Sequence, residues 1–267
     1  MTDMAQDAPD SGERSGRLPV ESREFTLDCD GETLSCTESA PTGSHLERPP
    51  SGLTAVLLHG AGNGDKQSPG LLGAHLAARG HRALALDFSG HGASTGHLRE
   101  LSLRRRFAQA RTLVDLHAPA GTRLVLVGFS MSGQTVADLA AHYGPRVAAV
   151  GLGAPAVYGA GAWPVRFGDG FTEIIRTPDS WRSSPALDVF RTLPATVRAV
   201  LATPAVDAVI PPAVTEAVDE ALTASDAHYT RLVFPTADHR MSLWFAEDEG
   251  AREDFFDALL GSGGQRR

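Results

Sequence analysis

From residue 53 onward, short apolar runs alternate with longer stretches of helical periodicity. The runs are TAVLLH (54–59), RALALDF (82–88), RLVLVGF (123–129), RVAAVGLGA (146–154), RAVLAT (198–203) and YTRLVFP (229–235). Between and after them stand PGLLGAHLAARG (69–80), LSLRRRFAQARTLVDLH (101–117), MSGQTVADLAAHY (131–143), AVTEAVDEALTA (213–224) and SLWFAEDEGAREDFFDALL (242–260). A strand that is apolar on both faces must be covered on both faces. A helix between two such strands returns the chain for parallel pairing. The pattern predicts an α/β fold with a mostly parallel, doubly wound sheet. Ahead of it, REFTLDCDGETLSCTES (23–39) reads as a hairpin turning at Asp30-Gly31.

A chain of 267 residues, 42% of them hydrophobic, accommodates this pattern as one domain, expected over 23–260. Residues 1–22 are polar, lack the apolar centre of an export signal, and read as a disordered tail. Residues 261–267, GSGGQRR, read as a flexible one. No apolar run approaches the roughly 18 residues of a membrane span, so neither a membrane partner nor a location outside the cytoplasm is expected. Cys29 and Cys36 are too few for a disulfide framework or a zinc site and read as free thiols, although the two could pair. A net charge of −8 disfavours nucleic acid as a partner. The run Arg104-Arg105-Arg106 reads as the solvated face of a helix. Lys66 is the sole lysine, and this bias toward Arg, with abundant Ala and Gly, points to a GC-rich bacterial genome.

Residues 155 to 194 break the rhythm. Such an excursion between two sheet strands is too long for an ordinary connection. It reads as a lid or small cap, or else as a surface decoration with its own apolar cluster. Trp163, Phe167, Phe171 and Trp181 would line a pocket in the first case and pack on one another in the second. Arg166, Arg176 and Arg182 in the same segment read as solvated.

The segment VLVGFSMSGQTVADLA (125–140) runs from a strand into a helix with two serines at the join. A serine nucleophile at such a sharp turn needs small residues two places before and after it. Ser130 has Gly128 and Ser132 there, whereas Ser132 has Ser130 and the bulkier Gln134. Ser130 is therefore the candidate, in a G-x-S-x-S pattern. The alternative is a plain helix cap. Two later loops speak for the nucleophile: Asp207 follows the strand RAVLAT, and His239 follows YTRLVF. Serine, acid and histidine each follow a different strand, in the order that nucleophile-elbow hydrolases use.

LLHGAG, DFSGHGASTG, GFSMSG, VDAVIP and ADHRM, taken in order, resemble the landmarks of the α/β-hydrolase superfamily, specifically its bacterial serine-hydrolase branch with its aminopeptidase- and esterase-like members. The resemblance covers roughly residues 23 to 260. Two departures stand out: Ser132 replaces a common glycine, and TPAVD lacks the glycine often found before the acid.

The resemblance implies that Ser130 attacks an acyl carbon, His239 takes its proton, and Asp207 orients the imidazole. One oxyanion donor is expected at the Met131 backbone N–H, directly after the nucleophile. Family resemblance points to the Ala61 N–H, after His59-Gly60, as the other. The expected substrate is a small-molecule carboxylic ester or thioester. Amide hydrolysis, acyl transfer and cyclisation use the same triad and stay open, as does a non-catalytic small-molecule binding module. No cofactor and no metal are expected. HGAGNGDK (59–66) has Asp65 where either nucleotide-binding pattern needs Gly, and His81, His91 and His97 do not form H-E-x-x-H. Asp87 is expected to hydrogen-bond structurally, and His91 to shape a loop near the site. The sequence does not indicate an oligomeric state.

Overall fold

A computed structural model describes residues 17–43 and 52–261. Two antiparallel strands, β1 (Val20–Cys29) and β2 (Glu32–Pro41), open the fold. Their turn is Asp30-Gly31, with φ of 52° and 75°, the paired left-handed conformation that matches the twist of a tight hairpin. The hairpin is three residues longer at its start than expected, so Val20 to Ser22 belong to a strand rather than to a tail. Residues 1–16 and 262–267 of the two expected tails lie outside the described residues.

The remaining strands are parallel to one another: β3 (Leu53–Leu58), β4 (Arg82–Leu86), β5 (Arg123–Phe129), β6 (Val147–Gly153), β7 (Arg198–Pro204) and β8 (His228–Phe234). Among the described residues they join one sheet in the order β1-β2-β4-β3-β5-β6-β7-β8. Only the β1–β2 and β2–β4 pairings in that sheet are antiparallel. Successive side chains of a strand face opposite ways. On β3, Val56 and Leu58 enter one apolar layer while Ala55 and Leu57 enter the other. The first layer is covered by α2 (Leu103–His117), α3 (Ser132–Tyr143), α5 (Pro185–Arg191) and α6 (Pro212–Thr223). The second is covered by α1 (Gln67–Ala78), α7 (Met241–Glu247) and α8 (Glu249–Leu260).

The last expected helix, 242–260, is two. Asp248 leaves helical geometry, and its side chain accepts from the Ala251 N–H at 2.8 Å, capping α8. The excursion after β6 carries short helical turns, α4 (Phe171–Arg176) and α5. Its centre has a small apolar cluster in which Ala162 and Phe171 meet Leu103 and Met131. No helix among the described residues is long and apolar enough to cross a membrane.

Candidate active site

Parallel strands end at one edge of the sheet, and the loops leaving that edge converge. Ser130 follows β5, Asp207 lies between β7 and α6, and His239 lies between β8 and α7. The Ser130 hydroxyl is 2.9 Å from Nε2 of His239, and Nδ1 of His239 is 2.9 Å from Oδ2 of Asp207. The other Asp207 oxygen, Oδ1, accepts the Val209 and Ile210 N–H groups at 2.8 and 2.9 Å. The carboxylate is thereby held without the glycine whose absence the sequence shows. Asp207 and His239 are largely buried, with side-chain exposures of 10% and 17%.

Ser130 sits at φ 51°, a conformation that costs a non-glycine residue roughly 1–2 kcal/mol. Its surroundings hold it there. The Ser130 N–H donates to the Gly153 carbonyl at 2.9 Å, and its own carbonyl accepts from Gly133 and Ala156 N–H, each at 2.9 Å. A Cβ at Gly128 would meet the Ser132 carbonyl oxygen at 2.5 Å and Val136 Cγ2 at 2.6 Å, so the turn requires glycine there. Gly133 also answers a close contact: a Cβ there would meet Pro155 and Ala156 of the segment leaving β6.

The C=O of one residue and the N–H of the next point opposite ways across a trans peptide. With the Ser130 carbonyl held by the Gly133 and Ala156 N–H groups, the Met131 N–H points the opposite way. The loop after β3 behaves alike. His59 accepts the Phe88 N–H at Nε2 (3.1 Å), which leaves the ring proton on Nδ1 to donate to the Gly60 carbonyl at 2.7 Å. The Ala61 N–H then faces the opposite way. Burial, with Arg106 and His91 close by, holds His59 well below the ordinary histidine range and therefore neutral. Ala61, Ser130 and His239 line one cavity of about 310 Å³ with Asn63 and Met241.

Ser132 is fully buried and turned from the cleft. Its hydroxyl donates to the His59 carbonyl at 2.6 Å. Behind it lies Arg106, with no exposed surface. The expectation of a solvated arginine run therefore fails for this residue. Arg104 is exposed and Arg105 pairs with Glu32 at 2.9 Å, but Arg106 points into the fold. The buried stripe of α2 is Leu103, Arg106, Gln109, Ala110, Leu113 and Val114. Position 106 lies three residues after Leu103 and four before Ala110, so the helical period carried the signal, but three consecutive arginines masked it.

The four aromatic residues of the excursion part company. Phe167 and Phe171 have ring centroids 4.6 Å apart and line a cavity of about 490 Å³ with Ala61, Leu98, Met131 and Ile175. Trp163 instead donates its indole N–H to Asp138 at 3.0 Å and lines a separate cavity with Gln134 and Tyr158. Trp181 packs toward the main apolar layer, with the Arg182 guanidinium 4.6 Å above its ring. The expected pocket thus keeps two of its four aromatics beside the cleft. Arg166 and Arg182 pair on the surface with Glu100 and Asp179, and Arg176 is exposed. Asp87 accepts the Lys66 and Ala93 N–H groups, and His91 lies 4.8 Å from the His59 ring.

A parallel sheet with a serine at a strained strand-to-helix turn, and a histidine and an acid on later loops, defines a class of hydrolytic folds. Residues 55–263 match the alpha/beta hydrolase family model, and the chain belongs to that family. Among solved structures it is similar to Est1E from Butyrivibrio proteoclasticus with ferulic acid bound, at 17% identity and a TM-score of 0.65, covering 88% of this chain and 98% of that one. It is similar to mouse alpha/beta hydrolase domain-containing protein 10, at 17% identity and a TM-score of 0.63, covering 90% and 99%. It is also similar to the thioesterase domain from the curacin biosynthetic pathway, at 16% and 0.60, covering 87% and 98%. At such identities the likeness is one of fold. No curated protein matches the chain in sequence.

Proposed function

We propose that the chain is a serine hydrolase that cleaves a carboxylic ester or thioester of a small to medium-sized molecule through an acyl-enzyme. The observation that carries this reading is the continuous hydrogen-bonded line from Ser130 Oγ through the His239 ring to Asp207. In the first step the Ser130 oxygen bonds to the acyl carbon while its proton passes to His239 Nε2. Asp207, bonded at Nδ1, keeps the imidazole in the tautomer that can accept that proton and stabilises the cation that forms. The negative oxygen of the tetrahedral species is met by the Ala61 and Met131 N–H groups. Collapse breaks the bond to the leaving group, which takes the proton from His239. Water then attacks the acyl-enzyme, giving its proton to His239, and the acid departs as Ser130 regains its own.

The apolar cleft at Phe167 and Phe171 would take the acyl or alkyl portion. Two structural neighbours are in keeping with this reading: one holds ferulic acid, and another is a thioesterase domain. Amide hydrolysis and acyl transfer use the same residues and differ only in leaving group or acceptor. The expected partner is a small acyl compound rather than nucleic acid or membrane, and the expected location is the cytoplasm.

The test is covalent labelling with a fluorophosphonate, then turnover of p-nitrophenyl esters and acyl thioesters of graded length. The wild-type chain should be labelled, and Ser130→Ala should lose both labelling and turnover. A folded wild-type chain that resists the probe would instead be a binding module.

A further inference from the structure

We infer that Arg106 and Ser132 form a buried positioning pair that fixes the two oxyanion donors relative to each other. The inference rests on the serine-hydrolase reading above and goes beyond it, because neither side chain touches the substrate. The two donors come from different elements: Ala61 from the loop after β3, and Met131 from the start of α3. Nothing covalent sets the distance between them. Arg106 reaches in from a third element, α2, and bonds to both.

Its Nη2 donates to the His59 carbonyl at 2.7 Å and to the Ser132 hydroxyl at 2.7 Å. The Ser132 hydroxyl donates in turn to the same His59 carbonyl at 2.6 Å, closing a three-membered ring of hydrogen bonds. Nη1 approaches the Gly60 carbonyl at 3.5 Å. The His59 and Gly60 carbonyls therefore both face Arg106, and across the Gly60–Ala61 peptide the N–H of Ala61, a residue that lines the cavity with Ser130 and His239, points away from Arg106. Ser132 is adjacent to Met131, so the same ring ties down the beginning of the nucleophile helix. Replacing the family's common glycine with Ser132 supplies the hydroxyl that completes it.

Two further features fit a positioning role. The guanidinium stacks on Phe88, 3.7 Å from the ring centroid, which fixes its plane. Its hydrogen bonds among the described residues all go to uncharged oxygens, and its Nε is buried without a partner. A buried charge with no carboxylate beside it is costly to keep and favours negative charge developing nearby. Burial pushes its pKa down to about 9, which leaves it charged at neutral pH.

The test compares wild type, Arg106→Met, Arg106→Lys, Ser132→Gly and the Arg106→Met/Ser132→Gly double variant, with p-nitrophenyl butyrate as substrate and an alkyl boronate as tetrahedral adduct former. Wild type is first treated with the fluorophosphonate. Misplacing a reacting contact by about 1 Å costs around 100-fold. Folded Arg106→Met and Ser132→Gly are each expected to lose about 10- to 100-fold in kcat with KM within about threefold, and boronate affinity should fall in parallel with kcat/KM. Arg106→Lys should recover part of the loss. The double variant should be little worse than the poorer single, since both break one ring. If wild type is labelled and the folded variants keep kcat within about twofold, or lose KM and kcat indiscriminately, the positioning role is wrong while the serine-hydrolase reading stands. If Arg106→Met does not fold, Ser132→Gly alone decides by the same criteria. An unlabelled wild type overturns both readings.

Discussion

Ser130 is chosen over Ser132 by residues two places away, Gly128 before the one and Gln134 after the other, but the physical reason lies in the turn. With φ at 51° the Ser130 side chain stands clear of the helix, while that of Ser132 points back into the fold. Gly128 makes this possible, since any Cβ there collides with the first turn of α3. Gly128→Ala should cost about 1–3 kcal/mol by overpacking. It should also slow fluorophosphonate labelling by displacing the elbow. Thermal melting and labelling rates check this, and an unchanged melting temperature would show that the turn tolerates a Cβ. Most of the candidate site was legible at this scale, because the polar residues in question come after apolar strands in loops too short to hide them. Arg106 was not legible, because its two preceding arginines give the local sequence the look of a solvated face.

At the level of elements, β3 to β7 were readable because a strand covered on both faces has little room for polar residues, while β8, an edge strand whose Arg231 pairs with Asp219, was readable from its aromatic and β-branched residues and its place in the alternation. Helix boundaries came within a few residues for the same reason, as the apolar period stops where the core stops. The final stretch was the exception. SLWFAEDEGAREDFFDALL keeps a helical period across Asp248, and only the cap reveals the break. Asp248→Ala should therefore destabilise the chain by about 1 kcal/mol, a melting-point loss of about 2–4 °C for a domain of this size. A calorimetric scan of the variant showing no loss would mean that α7 and α8 are not separately capped. The excursion after β6 was recognisable by length, but its internal packing was not. Composition could not tell that Phe167 and Phe171 share a cavity with Ala61 and Met131 while Trp163 turns to Asp138.

Across the whole molecule, several buried histidines share one electrostatic condition. Burial is the main cause in each: His59 is held well below its usual range, His91 is lowered, and His75 is pushed down to about 4 with the help of Arg79, Arg252 and Arg17. The Asp257 carboxylate pulls the other way, but desolvation and three guanidiniums outweigh it. In the unfolded chain a histidine titrates near 6.5. Between that value and the lower native ones, the unfolded state binds more protons than the native state, so stability falls as pH falls. Urea midpoints should be steady above about pH 7 and should decline from about 6.5 toward 4. A flat midpoint across that window would show that these rings are not kept neutral by the fold.

The sequence by itself determined the sheet, the order of its elements along the chain and the candidate site residues Ser130, Asp207 and His239. Each of these is encoded by local periodicity or by the few residues at the end of a strand. Tertiary structure alone decided that Arg106 is buried, which aromatics share a cavity with Ala61 and Met131, and that Arg106 and Ser132 tie the loop after β3 to the start of α3. Those outcomes depend on contacts between elements dozens of residues apart in the chain, where packing and the need to satisfy buried polar groups override any local preference.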